Sequence, residues 1–152
     1  MHRILLIDDD AQLGPPLAQY VQRFDLALVH ALRPSDGLSL LRQQAFDAAI
    51  LDVMLPEMDG FEVAGIMRSH KRTQNVPIIF VTAISKETRF VQQGYRSGAV
   101  DYLFKPIDPQ LLQSKVSFFL GLDQQKKRLE AKLARARRSE AEMNALYGEQ
   151  PE

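Results

Sequence analysis

An α/β fold built on a parallel sheet covered on both faces is predicted by three features of the chain. Five short apolar runs alternate with segments whose apolar residues recur at steps of three and four. The runs are almost continuously hydrophobic, as strands buried on both sides are, and the intervening segments have the period of amphipathic helices. Acidic residues, a threonine and a lysine stand at the carboxyl ends of four runs, the edge where open parallel sheets present their ligand-binding groups.

Taken in order, the first strand is expected over residues 3–7 and the first helix over 12–24, with Pro15 and Pro16 in its first turn, where a missing N–H is tolerated. A second strand over 26–32 leads into a helix over 36–44. A third strand over 48–51 runs up to Asp52. Asp59-Gly60 reads as a turn opening a helix over 61–70, the glycine supplying backbone freedom. A fourth strand over 77–81, a helix over 86–97 and a fifth strand over 100–104 complete the alternation. Right-handed crossovers and short connections leave few topologies. The expectation is a flavodoxin-like, doubly wound, five-stranded parallel sheet of strand order 2-1-3-4-5, followed by a long C-terminal helix.

The 152 residues suffice for one domain with an appended element, and a hydrophobic fraction of 45% provides a core. A net charge of zero gives no overall attraction to nucleic acid or membrane. Cysteine is absent, which removes disulfides, thiolate catalysis and cysteine-bound zinc. His2, His30 and His70 have no ligand spacing and read as surface or partly buried residues. The N-terminal apolar run is too short for a signal peptide or a membrane span, so cytoplasmic residence is expected.

On the predicted topology the C-terminal edge collects Asp8, Asp9 and Asp10 after the first strand, Asp52 at the end of the third, Thr82 at the fourth and Lys105 at the fifth. Asp52 there could bind metal, act as a base or accept a phosphoryl group. Carboxylates brought together repel, raising a pKa or demanding a cation. All-oxygen ligation suits Mg²⁺, with Mn²⁺ as the substitute, and does not suit zinc. A lysine ammonium and a threonine hydroxyl are groups that bind phosphoryl oxygens, and with them Asp52 becomes a nucleophile whose product is an aspartyl phosphate.

Four segments carry a family resemblance: Leu5-Leu6-Ile7-Asp8-Asp9-Asp10; Asp52 with Met54-Leu55-Pro56-Glu57-Met58-Asp59-Gly60; Val81-Thr82-Ala83; and Gly98-Ala99-Val100-Asp101-Tyr102-Leu103-Phe104-Lys105-Pro106. In this order and spacing the chain resembles a response-regulator receiver domain of two-component signalling over about residues 3–120. The resemblance implies that Asp52 accepts phosphate from a histidine kinase or phosphotransfer protein. It implies that Asp9, Asp52 and the Met54 carbonyl bind Mg²⁺ with Asp8 assisting through water, and that Thr82 and Lys105 contact the phosphoryl group. It further implies a switch in which Thr82 and Tyr102 reshape the face formed by the fourth helix, the fifth strand and the helix after it, and a cis Lys105–Pro106 bond. The phosphoprotein is then a regulatory switch, not an enzyme. Met54 and Ile84 stand where the family tunes phosphate lifetime; both are apolar, and slow self-dephosphorylation is expected.

Plainer readings exist for single residues. Asp10 is a capping candidate for the first helix, and Thr82 and Tyr102 taken alone are ordinary strand residues. A haloacid-dehalogenase-type phosphatase would need a second acid two residues after Asp52, where Met54 stands; neither GxxxxGK nor GxGxxG occurs.

Domain organisation is expected as a receiver over 1–120 and a helical extension over 121–152. From Phe119 into the extension, Phe119, Leu122, Lys126, Leu129, Leu133, Ala136, Glu140, Met143 and Tyr147 form an a/d seam interrupted by charges. A homodimer through this helix, or through the face around the fifth strand, is expected. The alternatives are a solvated helix or a frayed linker, with Gly121 a candidate break. The basic stretch 126–138 has no aromatic interleaving and reads as a charged helix surface, so no nucleic acid partner is expected. The same helix could join the receiver to an output domain of a sensor kinase or a cyclic-dinucleotide enzyme.

Overall fold

The computed structural model describes residues 1–83 and 101–148. Five parallel strands form one sheet in the order β2-β1-β3-β4-β5, the doubly wound arrangement expected from the sequence. They are β1 His2–Ile7, β2 Leu26–Ala31, β3 Ala48–Asp52, β4 Ile78–Ala83 and β5 Asp101–Lys105. The helices are α1 Gly14–Gln22, α2 Pro34–Gln43, α3 Gly60–Ser69 and the C-terminal helix Pro109–Tyr147. The expected helix over 86–97, with Ile84 and the residues 98–100 that open the last motif, lies outside the described residues.

Strand periodicity explains how both faces of the sheet are covered. Leu5 and Ile7 of β1 and Ala49 and Leu51 of β3 join one apolar cluster with Phe61, Val63 and Met67 of α3 and Phe80 of β4. Their strand neighbours Ile4, Leu6 and Ile50, which point the opposite way, are equally inaccessible. The uninterrupted apolar runs in the sequence are this two-sided burial.

Helix starts follow local chemistry. Pro15 and Pro16 lie in the first turn of α1, and the helix opens at Gly14, two residues later than the apolar spacing suggested. Asp10 therefore does not cap it: its Oδ1 accepts from Gln12 N at 3.0 Å within the preceding turn, and Leu13, at the cap position, offers no side-chain bond. Asp59 does cap α3, its Oδ1 accepting from Glu62 N at 2.8 Å.

By compactness the chain divides into Met1–Ser117 and Phe118–Glu152. The C-terminal helix is unbroken at Gly121, so that glycine does not act as a stop. Within the second unit Phe118 and Phe119 meet edge to face and Lys127 pairs with Asp123 at 2.9 Å. Among the described residues no helix is long and apolar enough to cross a membrane.

Candidate functional site

Parallel pairing delivers the ends of β1, β3, β4 and β5 to one edge. Ile7 pairs with Leu51, Asp52 with Val81, and Ala83 with Lys105, so residues as far apart as Asp8 and Lys105 become neighbours. Asp8, immediately after β1, is fully buried, Asp52 is 2% exposed, and Asp9 is exposed. One carboxylate oxygen from each of these three lies within 4.8 Å of the others. The remaining acid of the run, Asp10, donates its backbone N–H to Asp8 Oδ1 at 2.9 Å and stands outside the cluster.

Lys105 reaches into the acids from β5. Its Nζ donates to Asp52 Oδ2 at 2.8 Å and lies 3.2 Å from Asp8 Oδ2. The contact to Asp8 is an ion pair that falls short of hydrogen-bond geometry, leaving Asp8 Oδ2 buried without a hydrogen-bond donor. The other Asp52 oxygen, Oδ1, accepts from Met54 N at 3.1 Å. Burial pushes the Asp52 carboxyl above its ordinary value; the bond from Lys105 opposes this and the Asp8 charge adds to it. Burial alone would lower the Lys105 ammonium, but the hydrogen bond to Asp52 and the negative charges of Asp52 and Asp8 outweigh it and leave its pKa raised.

Thr82 is buried near the end of β4, one residue beyond the partner of Asp52 in the register. Tyr102 of β5 is buried as well, with its ring 5.7 Å from that of Phe80. Met54 is 71% exposed. The Lys105–Pro106 bond is cis. The structure thus brings together Asp8, Asp9, Asp52 and Lys105 and sets Thr82 and Tyr102 on the adjoining strands.

Three supporting contacts complete the site, and for two of them the sequence carries no signal. Glu57, at φ +67°, accepts from Ser35 N and Ser35 Oγ, both at 3.2 Å, tying the loop after Asp52 to the first turn of α2. Gly60 has a negative φ; what it supplies is space, because a Cβ there would lie 2.3 Å from the Asp52 carbonyl oxygen. The third is His30, whose Nε2 donates to the Asp8 carbonyl at 2.8 Å. Each depends on residues that the fold brings together from different elements.

Four strand ends converging on buried acids and a lysine can bind a cation and a phosphoryl group. The family model for the response regulator receiver domain matches residues 4–117, which contain all of these residues. The chain belongs to the response-regulator receiver family. Among curated relatives, the receiver is 36% identical over 119 residues to the transcriptional regulatory protein SrrA of Staphylococcus aureus, covering 78% of this chain and 48% of SrrA. The chain thus spans about half the length of the curated relatives it matches.

Solved receivers share its fold. The beryllofluoride-activated DrrB receiver domain superposes with a TM-score of 0.70 at 29% identity, over 80% of this chain and 98% of that one. DrrB is described as a Thermotoga maritima OmpR/PhoB homologue. A CheY-like receiver domain protein from Methanospirillum hungatei gives 0.71 at 28% identity, over 84% of this chain and 98% of that one.

Proposed function

We propose that this receiver is a phosphorylation-dependent switch of a two-component phosphorelay, with Asp52 as the phosphoryl acceptor. The observation that carries the reading is the placement of Lys105 Nζ against both Asp52 and Asp8, a fixed cation beside a buried carboxylate at a strand end. A carboxylate oxygen of Asp52 forms the new bond to phosphorus while the phosphorus–nitrogen bond of a donor phosphohistidine breaks, and the imidazole leaves with its electron pair. Lys105 offsets charge on the phosphoryl oxygens, and the Thr82 hydroxyl donates to one of them. Tyr102 then reports that movement on the face formed by β5, its neighbouring segment and the C-terminal helix.

The residues present fit a divalent cation. Asp8 Oδ2 is buried without a donor, the oxygens of Asp8, Asp9 and Asp52 lie within 4.8 Å of one another, and the cluster contains neither sulfur nor nitrogen ligands. Asp9, Asp52 and the Met54 carbonyl would hold Mg²⁺, with Asp8 acting through water; Mn²⁺ would serve in its place. When bound, the cation supplies charge neutralisation for the transferring phosphoryl group.

The module is regulatory, its chemistry limited to its own phosphorylation and dephosphorylation. Its partners are a histidine kinase or phosphotransfer protein and a second copy of the chain, met through the C-terminal helix or the β5 face. The helix beyond Leu120 serves as a linker. The reading that this linker leads to an output domain draws on the length of the relatives and is tested by the reading frame beyond Glu152. Beryllofluoride with Mg²⁺ should shift the NMR resonances around Asp52, Thr82 and Tyr102 in the wild type and leave Asp52→Asn unchanged. A wild-type spectrum that does not respond, or an equal response in the variant, overturns the switch.

A further inference from the structure

His30 was unremarkable in the sequence, yet it lies against the acidic cluster. It sits on β2, where the register pairs it with Leu6, two residues before Asp8. Its Nε2 lies 2.8 Å from the Asp8 carbonyl oxygen. A carbonyl can only accept, so Nε2 carries the proton and donates it. The following residue, Ala31, accepts from Asp8 N at 3.1 Å, and Asp8 Oδ1 accepts from Asp10 N at 2.9 Å. Adjacent β2 residues thus hold both backbone polar groups of Asp8, and the carboxylate oxygen left without a donor is Oδ2, beside Lys105.

The peptide fixed by His30 joins Asp8 to Asp9, two of the three clustered acids. Rotation of that peptide would re-aim both carboxylates at once. The imidazole fits because residue 14 lacks a side chain: a Cβ there would lie 2.2 Å from His30 Nδ1 and 2.7 Å from Cγ.

We propose that His30, seated in the space left by Gly14, is a positioning residue for the divalent-cation site, orienting the Asp8–Asp9 peptide through its Nε2–H. The proposal rests on the reading of Asp8, Asp9 and Asp52 as a cation site. Outer groups that orient ligands commonly affect metal affinity by roughly 10–100-fold.

The test is isothermal titration of Mg²⁺ into the full chain, with thermal melting of every variant in the absence of metal. His30→Met, which fills space without a donor, should raise the Mg²⁺ Kd about tenfold or more, while His30→Gln, whose amide offers an N–H at similar reach, should stay within about threefold of wild type. Gly14→Ala should weaken binding as His30→Met does, and the double variant should be no weaker than either single one, because both remove the same bond. Rescue by glutamine separates positioning from mere packing. Equal Kd values for wild type and His30→Met, glutamine behaving like methionine, or additive losses in the double variant would each overturn the proposal. Where His30→Met does not fold, Gly14→Ala against His30→Gln makes the same comparison. Absence of Asp52-dependent Mg²⁺ binding in the wild type would instead remove the cation-site reading, and the role of His30 with it.

Discussion

At the scale of single residues, the site is a set of charges held where none would settle alone. Burial raises Asp52 above its ordinary value of 3.8, the Lys105 bond resists, and Asp8 pushes the same way as burial. The sign follows from proton binding. Between the ordinary and the raised value the native state keeps a proton that the unfolded chain has lost, so stability falls as pH rises through this interval and stays lower above it. Asp52→Asn removes that loss. Without divalent cation it should melt at a higher temperature than wild type at neutral pH, the gap closing below about pH 4, where carboxyls in the unfolded chain are protonated. Melting curves from acid to neutral pH check this, and a gap that widens in acid would contradict it. The acids themselves were legible, since they follow apolar runs in a familiar spacing. The bonds from His30 and from Ser35 to Glu57 were not, because hydrogen bonds between distant surface-like residues leave no periodic trace.

At the scale of elements, turn chemistry sets how each strand hands its acid to the site. Gly60 opens α3 close against the carbonyl of Asp52, and its own N–H donates to Val53 O at 3.0 Å, which ties the two backbones together. Gly60→Ala should therefore destabilise the receiver by roughly 1–3 kcal/mol, as overpacking against an immobile neighbour does. The urea midpoint measures it, and an unchanged midpoint would show that the loop yields. The sequence pointed to a glycine here but for conformational freedom, whereas the structure requires the missing side chain. Element boundaries were legible to within one or two residues where proline or a capping acid marks them, as at Asp59. At α1 the prolines mark the start to within two residues, but the cap differs: a turn holding Asp10 comes before the helix, and Asp10 does not cap it. Gly121, a candidate break by sequence, lies inside the unbroken helix. A lone exposed glycine costs a helix only about 1 kcal/mol relative to alanine, which a 39-residue helix tolerates.

At the scale of the whole molecule, the long helix exposes an apolar row that a lone chain would leave in water. Leu129, Leu133 and Met143 are more than half exposed, and they recur at the seam positions read from the sequence. Lys126 and Glu140 interrupt the row, so self-association through it should be modest and sensitive to any one leucine. In sedimentation velocity with beryllofluoride and Mg²⁺ the chain should show a dimer, and Leu133→Lys should shift it to monomer by at least tenfold in dissociation constant, about 1.4 kcal/mol. An unchanged sedimentation coefficient in the variant would assign association to another surface.

The sequence by itself determined the alternation of strands and helices, the parallel sheet, and which residues would reach its carboxyl edge. These are encoded locally, in a period of two or 3.6 and in the residues that punctuate it. The tertiary structure alone decided how those residues meet: that Lys105 bridges Asp52 and Asp8, and that His30 holds the peptide between two acids. Such contacts depend on strand register and crossover packing, which join positions from 22 residues apart (His30 and Asp8) to 97 apart (Lys105 and Asp8) and which no local pattern records.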